Sequence, residues 1–312
     1  MLTEKYGKAV KGLGGLYNIR IEENGSVSYI SCKAKGSLHR DEEKLLIGDN
    51  VKITIDEDTP DGVMISEIMQ RKNQLIRPPL ANLDYIFAVF ASAKPAPVPE
   101  TVDKLISIAE YNNITPVVVI TKADLDTENA QKLFSVYSGA GFDTFLTSTK
   151  TGEGIEAVKA FIDERIRHGA TAAFAGASGV GKSTLINSLF PSLSLATADI
   201  SKKIERGRHT TRHVELFPLT EQADCGFLAD TPGFSLLDFS RFDFFPIEAL
   251  ESTFREFAEY KGRCRYADCA HVGEGRGECA IMEAVFSGKI AESRISSYRE
   301  IYKTLKAKKS YG

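Results

Sequence analysis

The sequence lacks the long apolar segments of a membrane or secreted protein. It has no run of about 18 apolar residues and no signal-peptide core at its start, so we expect a cytoplasmic chain without a membrane partner. Only five of the 312 residues are cysteine, and three of them cluster beside a histidine, which excludes a disulfide framework and favours a metal site. The formal net charge of −3 is too small to indicate a basic or an acidic partner. No internal repeat is visible, and 43% hydrophobic and 26% charged residues are typical of a globular protein of about two or three domains.

The most informative feature present is a phosphate-binding signature, G-x-x-x-x-G-K-S, between a predicted strand at 171–175 and a predicted helix at 183–190. In this context the backbone N–H groups of the loop and the helix N-terminus cradle phosphate oxygens. Lys182 is predicted to contact the β- and γ-phosphates, and Ser183 to bind Mg²⁺. The nucleotide-binding residues predicted here are Gly176, Ala177, Ser178, Gly179, Val180, Gly181, Lys182, Ser183 and Thr184.

A base-recognition motif, Thr121-Lys122-Ala123-Asp124, lies upstream of the phosphate loop and predicts GTP or GDP as the ligand. The Asp124 carboxylate can accept both N1–H and N2–H of guanine, which adenine does not offer, while the Lys122 stem packs on the base. Thr121 stands where most GTPases have asparagine. Because a hydroxyl replaces only part of an amide's bonding, we expect modest guanine affinity. The loop expected to contact guanine O6 through its backbone consists of Ser148, Thr149 and Lys150.

The segment Asp230-Thr231-Pro232-Gly233 follows a predicted strand at 226–229 and fits the motif D-x-x-G. Asp230 is expected to hold Mg²⁺ through water, and the Gly233 N–H to sense the γ-phosphate. The next residue is Phe234, where many GTPases have a glutamine that orients the attacking water. We therefore expect slow basal hydrolysis.

The segment upstream of this motif contains a candidate to replace the missing glutamine. His209 can accept a proton near neutral pH, and is a candidate to position the attacking water; contact with RNA phosphate, or no contact, is the alternative. Thr210 or Thr211 is expected to supply a hydroxyl to Mg²⁺, and the sequence does not choose between them.

The order of the motifs is unusual, because base recognition precedes phosphate binding. The predicted helix at 154–167 leads directly into the phosphate-loop strand, which joins the two ends of an ordinary G domain. We predict an α/β fold with a circularly permuted P-loop GTPase domain, whose D-x-x-G segment leads into the C-terminal module and displaces it according to the γ-phosphate state. The predicted domains are an N-terminal OB-type β-barrel at 1–70, a linker at 71–80, the GTPase domain at 81–240 and a zinc-binding helical domain at 241–312.

Short apolar runs at 9–17, 27–32, 49–55 and 63–68 predict the strands of the barrel, a fold that often binds oligonucleotides. Residues 1–70 have a net charge of −3, so any RNA contact has to be local. The alternative is a barrel that binds protein or braces the G domain. The candidate RNA contacts are Lys8, Lys11, Lys33, Lys35 and Arg40.

The C-terminal region contains four residues with metal-ligand chemistry: Cys264, Cys269, His271 and Cys279. Three thiolates and one imidazole close a tetrahedral structural Zn²⁺ site; free cysteines beside a surface histidine are the alternative. Cys32 and Cys225 lie in apolar predicted strands and are expected to be core thiols. A helix is predicted at 246–260.

Two basic segments favour contact with RNA phosphates, with a merely solvated face as the alternative for each. The residues of the first are Lys202, Lys203, Arg206, Arg208 and Arg212, and those of the second are Arg294, Arg299, Lys303, Lys306, Lys308 and Lys309.

Together with 71–84 (RKNQLIRPPLANLD), 207–213 (GRHTTRH) and 230–234 (DTPGF), these motifs resemble the circularly permuted GTPases of small ribosomal subunit biogenesis, the RsgA/YjeQ family. The resemblance extends over nearly the whole chain. It implies an OB domain, a permuted G domain and a zinc domain, and GTP hydrolysis stimulated by the 30S subunit during its late maturation. The gap before Cys279 is longer than is usual in that family, and the glycine-rich segment 272–278 can loop out without moving the ligands.

Three functions therefore compete. The leading one is a monomeric GTPase that binds the 30S subunit and its 16S rRNA and hydrolyses GTP to leave it. The second is a nucleotide-gated rRNA-binding assembly factor in which hydrolysis is incidental, an idea supported by Thr121 and Phe234. The third is a P-loop ATPase or small-molecule kinase, which Lys122 and Asp124 argue against.

Overall fold

A computed structural model describes residues 2–36, 44–56, 58–59, 62–191, 214–230, 239, 241–273 and 277–309. Its strands are β1 (Leu2–Leu13), β2 (Leu16–Glu23), β3 (Ser26–Ala34), β4 (Asn50–Asp56), β5 (Val63–Ile68), β6 (Gln74–Leu75), β7 (Leu80–Ala81), β8 (Tyr85–Ala91), β9 (Thr115–Thr121), β10 (Asp143–Leu146), β11 (Thr171–Ala175), β12 (Glu215–Pro218) and β13 (Phe227–Asp230). Its α-helices are α1 (Pro99–Tyr111), α2 (Thr127–Gly139), α3 (Ile155–Arg165), α4 (Lys182–Leu189), α5 (Ala280–Phe286) and α6 (Glu292–Lys309).

The chain divides into two compact units. The first consists of residues 1–86, 159–174 and 198–234, and the second of residues 87–158, 175–197 and 235–312. None of the helices in the described ranges combines the length and the apolar composition that crossing a membrane requires.

The first unit contains the predicted N-terminal barrel. Strands β1 to β5 close in the order β1-β2-β3-β5-β4, with β4 pairing back to β1. Alternate residues such as Ile19, Ile21 and Ile53 point inward and are fully buried, as period-two patterning requires. Beyond the barrel, β11 and β13 run parallel, β12 pairs antiparallel with β13, and β1 meets β12 where Lys11 is opposite Glu215.

The predicted single strand at 9–17 is wrong. The chain turns at Gly14 and Gly15, both at positive φ (59° and 83°), so this segment contains the end of β1, a tight turn and the start of β2. The barrel therefore has five strands where four apolar runs were recognised. The additional length of β1 and β2 mixes polar and apolar residues on both faces, with Leu2 and Tyr6 exposed and Arg20 buried, which hid it from a search for apolar runs.

The predicted linker at 71–80 contains β6 and β7 and is bonded to the barrel. Arg71 donates to both carboxylate oxygens of the fully buried Asp49, at 2.6 and 2.8 Å. Asn82 donates to the Gly48 carbonyl at 2.9 Å. Because a buried carboxylate needs such a partner, Arg71 fixes the segment where it leaves the barrel.

In the second unit the strand order is β10-β9-β8, with β9 and β10 parallel. The apolar runs of β8 and β9 are almost entirely buried, as a sheet covered on both faces demands, whereas β10 is only half-buried. The predicted helices at 154–167 and 183–190 and the predicted strand at 171–175 are confirmed to within about two residues at each end.

The predicted helix at 246–260 is wrong. The segment forms three short 3-10 helices, Ile247–Ala249, Glu251–Thr253 and Arg255–Tyr260. Phe254 is extended between the last two (φ −108°, ψ 95°), which lets its ring contact Phe257 and Tyr298. Leu250, Phe254 and Phe257 are buried at spacings of four and three residues, a pattern that an α-helix would also give, so apolar spacing alone did not distinguish the two kinds of helix.

Helix α6 packs on α1 through a buried ion-pair network centred on Arg294. Arg294 is 1% exposed, donates to the fully buried Asp103, and binds Glu256 at 2.6 Å. Its guanidinium also lies 4.5 Å from the Phe254 ring centroid. The prediction that Arg294 belongs to a basic RNA-binding segment is therefore wrong, because this side chain is buried and paired inside the fold.

Three further cations of α6 also have partners. Arg299 donates to the His271 carbonyl, Lys308 pairs with Asp243 at 2.6 Å, and Lys303 pairs with Glu300 at 2.6 Å. Among the described side chains of this segment, Lys303 and Lys306 are exposed. This face offers fewer solvent-exposed cations than the sequence indicated.

Candidate nucleotide site and metal centre

The phosphate loop begins where the buried strand β11 ends. Gly176 has a φ of 152°, and a Cβ at this position would lie 1.9 Å from the Val89 carbonyl oxygen, so only glycine fits. Helix α4 begins at Lys182, which places the exposed Ser183 and Thr184 in its first turn. The predicted strand–loop–helix arrangement is therefore present.

Lys182 is held over its own loop. Its ammonium group donates to the carbonyl oxygens of Gly176 at 2.7 Å and Ala177 at 2.8 Å. Burial lowers the pKa of Lys182. Its charge is thus partly desolvated, which strengthens its attraction to an anion that enters the loop.

The base-recognition motif is bonded directly to the phosphate loop. The Thr121 hydroxyl, 3% exposed, lies 2.5 Å from the Val180 carbonyl and 3.2 Å from the Phe90 carbonyl. Lys122 donates to the Gly179 carbonyl at 2.8 Å and to the Lys94 carbonyl at 2.5 Å. Two motifs that are 59 residues apart in sequence therefore share one hydrogen-bonded cluster.

Asp124 is oriented by a second loop. The Ser148 hydroxyl donates to Asp124 Oδ1 at 2.7 Å, and its neighbours Thr149 and Lys150 are exposed. The turn is closed by Gly154, where a Cβ would lie 1.8 Å from the Leu146 carbonyl oxygen. The sequence predicted a backbone role for 148–150, and the hydrogen bond from the Ser148 side chain was missed.

Two further residues of this cluster were missed. The Ser92 hydroxyl donates to the Lys122 carbonyl at 2.7 Å, and Lys94 supplies the carbonyl that receives Lys122. Both follow β8 directly. Their position after a strand neighbouring β9 was the available signal, since the ends of adjacent strands in such sheets line ligand sites.

The remaining predicted residues of the site are described only in part or not at all. Asp230 is the last residue of β13 in the first unit, and its backbone alone is described. The predicted residues His209, Thr210, Thr211, Gly233 and Phe234 lie outside the described residues. The same is true of the basic segment from Lys202 to Arg212.

The four predicted metal ligands converge. Their ligand atoms all lie within 4.8 Å of one another. His271 Nδ1 lies 3.3 Å from the sulfur atoms of Cys269 and Cys279 and 3.8 Å from that of Cys264, and the sulfur atoms of Cys264 and Cys279 are 4.0 Å apart. Zinc bonds of about 2.1 Å to nitrogen and 2.3 Å to sulfur, set tetrahedrally, give edges of about 3.6 and 3.8 Å. The donor set therefore fits a structural zinc ion.

Binding a metal ion would change the protonation of the thiols. Burial raises the pKa of Cys279, and burial raises that of Cys269 well above its ordinary value. Without a metal these groups are therefore thiols at neutral pH, and binding zinc would release protons. Cys32 and Cys225 are buried, and Cys225 lies in an isolated bridge just before β13.

The candidate RNA contacts of the barrel differ in their surroundings. Lys33 and Lys35 are exposed, whereas Lys11 pairs with Glu215 at 2.9 Å. Lys8 is partly buried, with its ammonium 5.6 Å from the Phe227 ring centroid. Arg40 lies outside the described residues. Lys33 and Lys35 thus keep the exposure that a phosphate contact needs.

A phosphate loop bonded to a guanine-type base motif that precedes it in sequence defines a circularly permuted P-loop GTPase. Residues 68–240 match the family model described as RsgA GTPase, and residues 6–63 match the model of the RsgA N-terminal domain. The chain belongs to the RsgA GTPase family and is a GTP-hydrolysing enzyme.

Similar proteins agree over almost the full length. The chain is 38% identical to the small ribosomal subunit biogenesis GTPase RsgA of Agathobacter rectalis, covering 98% of this chain and 99% of that protein. It is 39% identical to the protein of the same name from Caldanaerobacter subterraneus subsp. tengcongensis, covering 97% and 96%. The crystal structure of YjeQ from Thermotoga maritima matches with a TM-score of 0.78 at 32% identity, covering 97% and 99%. That of YloQ, described as a circularly permuted GTPase, matches with a TM-score of 0.75 at 32% identity, covering 98% and 96%.

Proposed function

We propose that this GTPase binds the small ribosomal subunit and hydrolyses GTP during the subunit's maturation in the cytoplasm. The observation that carries the nucleotide part is the bonding of Thr121 and Lys122 to the phosphate loop, because it brings base and phosphate recognition to one ligand. The names of the full-length relatives support the subunit as partner. Lys33 and Lys35 of the barrel, with the exposed Lys303 and Lys306 of α6, are the contacts we propose for 16S rRNA.

In the proposed complex the guanine lies against the Lys122 stem. Ser148 holds Oδ1 of Asp124, so the carboxylate is presented in one orientation for N1–H and N2–H of guanine. The loop at 148–150 supplies backbone donors to O6. Adenine lacks the N1–H and N2–H donors that Asp124 accepts, and this difference excludes adenine nucleotides.

At the other end, the loop from Gly176 to Gly181 encloses the β-phosphate and Lys182 contacts the β- and γ-phosphates. Lys182 exchanges two carbonyl partners for phosphate oxygens, so it needs no large movement. Ser183, Asp230 and Thr210 or Thr211 are the residues that would hold Mg²⁺, which would neutralise negative charge on the β- and γ-phosphates. Gly233 would report the γ-phosphate through its N–H.

Hydrolysis needs a group that orients water, and Phe234 cannot do this. We propose that slow turnover in the free enzyme is raised by the subunit, with His209 as the group in this chain that contacts the attacking water. The zinc ion would close the Cys264–Cys279 loop and hold the C-terminal module together; it has no open position for catalysis. The proposed active species is the monomer.

The test is GTP turnover with and without purified small ribosomal subunits. The wild-type enzyme is expected to be stimulated, Lys182→Ala to lose turnover in both conditions, and His209→Ala to keep basal turnover while losing stimulation. A single-turnover rate unchanged by subunits would instead favour an assembly factor in which hydrolysis is incidental. Unchanged stimulation in His209→Ala would remove that residue from the mechanism.

A further inference from the structure

Among the residues that the structure describes, none forms a hydrogen bond with the outer nitrogen of the metal-site histidine. His271 is 5% exposed, and its Nδ1 faces the three cysteine sulfur atoms. Nε2, on the opposite edge of the ring, is buried without a partner from that part of the chain. A buried polar nitrogen left in this state destabilises the fold.

Metal binding makes this nitrogen a donor. When Nδ1 coordinates a cation, the neutral imidazole carries its proton on Nε2. The rings of Phe257 and Tyr298 lie beside His271, each with its centroid 6.0 Å away, and rings are poor acceptors. The Oε2 atom of Glu251 lies 3.7 Å from Nε2.

We propose that the Glu251 carboxylate accepts a hydrogen bond from Nε2–H of His271 when Nδ1 binds zinc, which makes Glu251 a positioning residue of the metal centre. The side chain of Glu251 is 36% exposed, so it is free to close the remaining distance of somewhat under 1 Å by rotation. A carboxylate in this position fixes the ring and raises the basicity of the metal-binding nitrogen. The inference rests on the proposed zinc site.

The position of Glu251 in the fold gives this bond a second consequence. Glu251 begins the short 3-10 helix Glu251–Thr253, which packs against α1, and Thr253 of the same turn is buried. On the other side, Arg299 of α6 donates to the His271 carbonyl at 3.3 Å. The histidine is thus held between a turn that contacts α1 and the C-terminal helix, and Glu251 is the side chain that acts on its ring.

The test is the zinc affinity of the full-length protein, measured by competition with a chromophoric chelator, with Co²⁺ absorption as a second reading of ligand geometry. We expect Glu251→Ala to weaken zinc binding about 10- to 100-fold. Glu251→Gln keeps an uncharged hydrogen-bond acceptor, so its zinc affinity should lie between those of the wild type and Glu251→Ala. The matched control is Glu259→Ala, because Glu259 is an exposed carboxylate in the next 3-10 helix. This variant should bind zinc as tightly as the wild type.

The outcomes separate this inference from the zinc assignment. A wild-type protein that binds one zinc while both Glu251 variants stay within twofold of it would overturn the role of Glu251 and leave the zinc site standing. A wild-type protein that binds no zinc would overturn both. Guanine-nucleotide binding, measured on the same samples, reports whether each variant is folded, and the Gln variant keeps the test valid if the Ala variant is not.

Discussion

Replacing Arg294 by methionine tests whether the C-terminal helix is locked to the G domain by charge. The substitution introduces an apolar side chain of similar length. It leaves the fully buried Asp103 and the 7% exposed Glu256 without the cation that they share. Removing one partner of a buried ion pair costs about 3–5 kcal/mol. Since a domain of this size loses about 2–4 °C per kcal/mol, we expect the melting temperature to fall by about 6–20 °C.

The pH dependence of that loss has a definite sign. Burial raises the pKa of Asp103, even with Arg294 beside it. The folded state therefore binds this proton more tightly than the unfolded state, and stability declines as pH rises above the unfolded pKa of about 3.9. Without Arg294 the pKa rises further, so the Arg294→Met penalty should be smaller at pH 5 than at pH 8.

The assay is thermal and urea unfolding at both pH values, with Lys303→Met as the control. Lys303 lies on the same helix in an exposed pair with Glu300, which is worth at most about 1 kcal/mol. A loss of less than about 1 kcal/mol in Arg294→Met, or a penalty independent of pH, would refute the reasoning.

Two other substitutions probe the phosphate-loop cluster and the barrel. Thr121→Val removes the hydroxyl that donates to the Val180 carbonyl, so it should weaken the binding of GDP and of inosine diphosphate (IDP) by the same factor, about 10-fold. Thr121→Ser should keep most of the affinity. In a fluorescent-nucleotide titration, a loss of affinity confined to GDP would assign Thr121 to base recognition instead. Burial, with a smaller contribution from Lys72, lowers the pKa of Lys8 from 10.5 to about 8, so its charge destabilises the fold fully below that pH and progressively less as the pH rises towards 10.5. Lys8→Met should therefore stabilise the protein at pH 7 by about 1–2 kcal/mol, after allowance for the partial exposure of Lys8, and this gain should vanish as the pH rises towards about 10.5. The measurement is urea unfolding of both proteins at pH 7 and at about pH 10. The same stability difference at the two pH values would contradict the prediction.

The nucleotide and metal motifs could be predicted because their chemistry fixes the spacing. A phosphate loop needs glycine where backbone approaches backbone, as Gly176 does to Val89, and a zinc site needs four soft donors. The role of Thr121 could not be predicted in the same way. Its hydroxyl faces a carbonyl far along the chain, and only the fold brings Val180 to it.

The failures share a physical cause, which is that burial depends on partners distant in sequence. Arg294 belongs to a run of cations at a helical period, and a sequence reading places it in solvent. Its partner Asp103 is 191 residues away, so nothing local marks the pair. The 3-10 segment at 247–260 was missed for a related reason, because Phe254 leaves helical geometry to reach Tyr298 of α6.

The central claim is that Asp124 and Lys182 bind opposite ends of one guanine nucleotide, and base specificity tests it most directly. Asp124→Asn replaces an acceptor of two N–H groups by an amide that can donate to O2 of xanthine. The account predicts that GDP affinity falls at least about 100-fold while xanthosine diphosphate becomes the preferred ligand. Lys182 should contact the phosphates of both nucleotides in the same way. A variant that binds GDP as tightly as the wild type would contradict it.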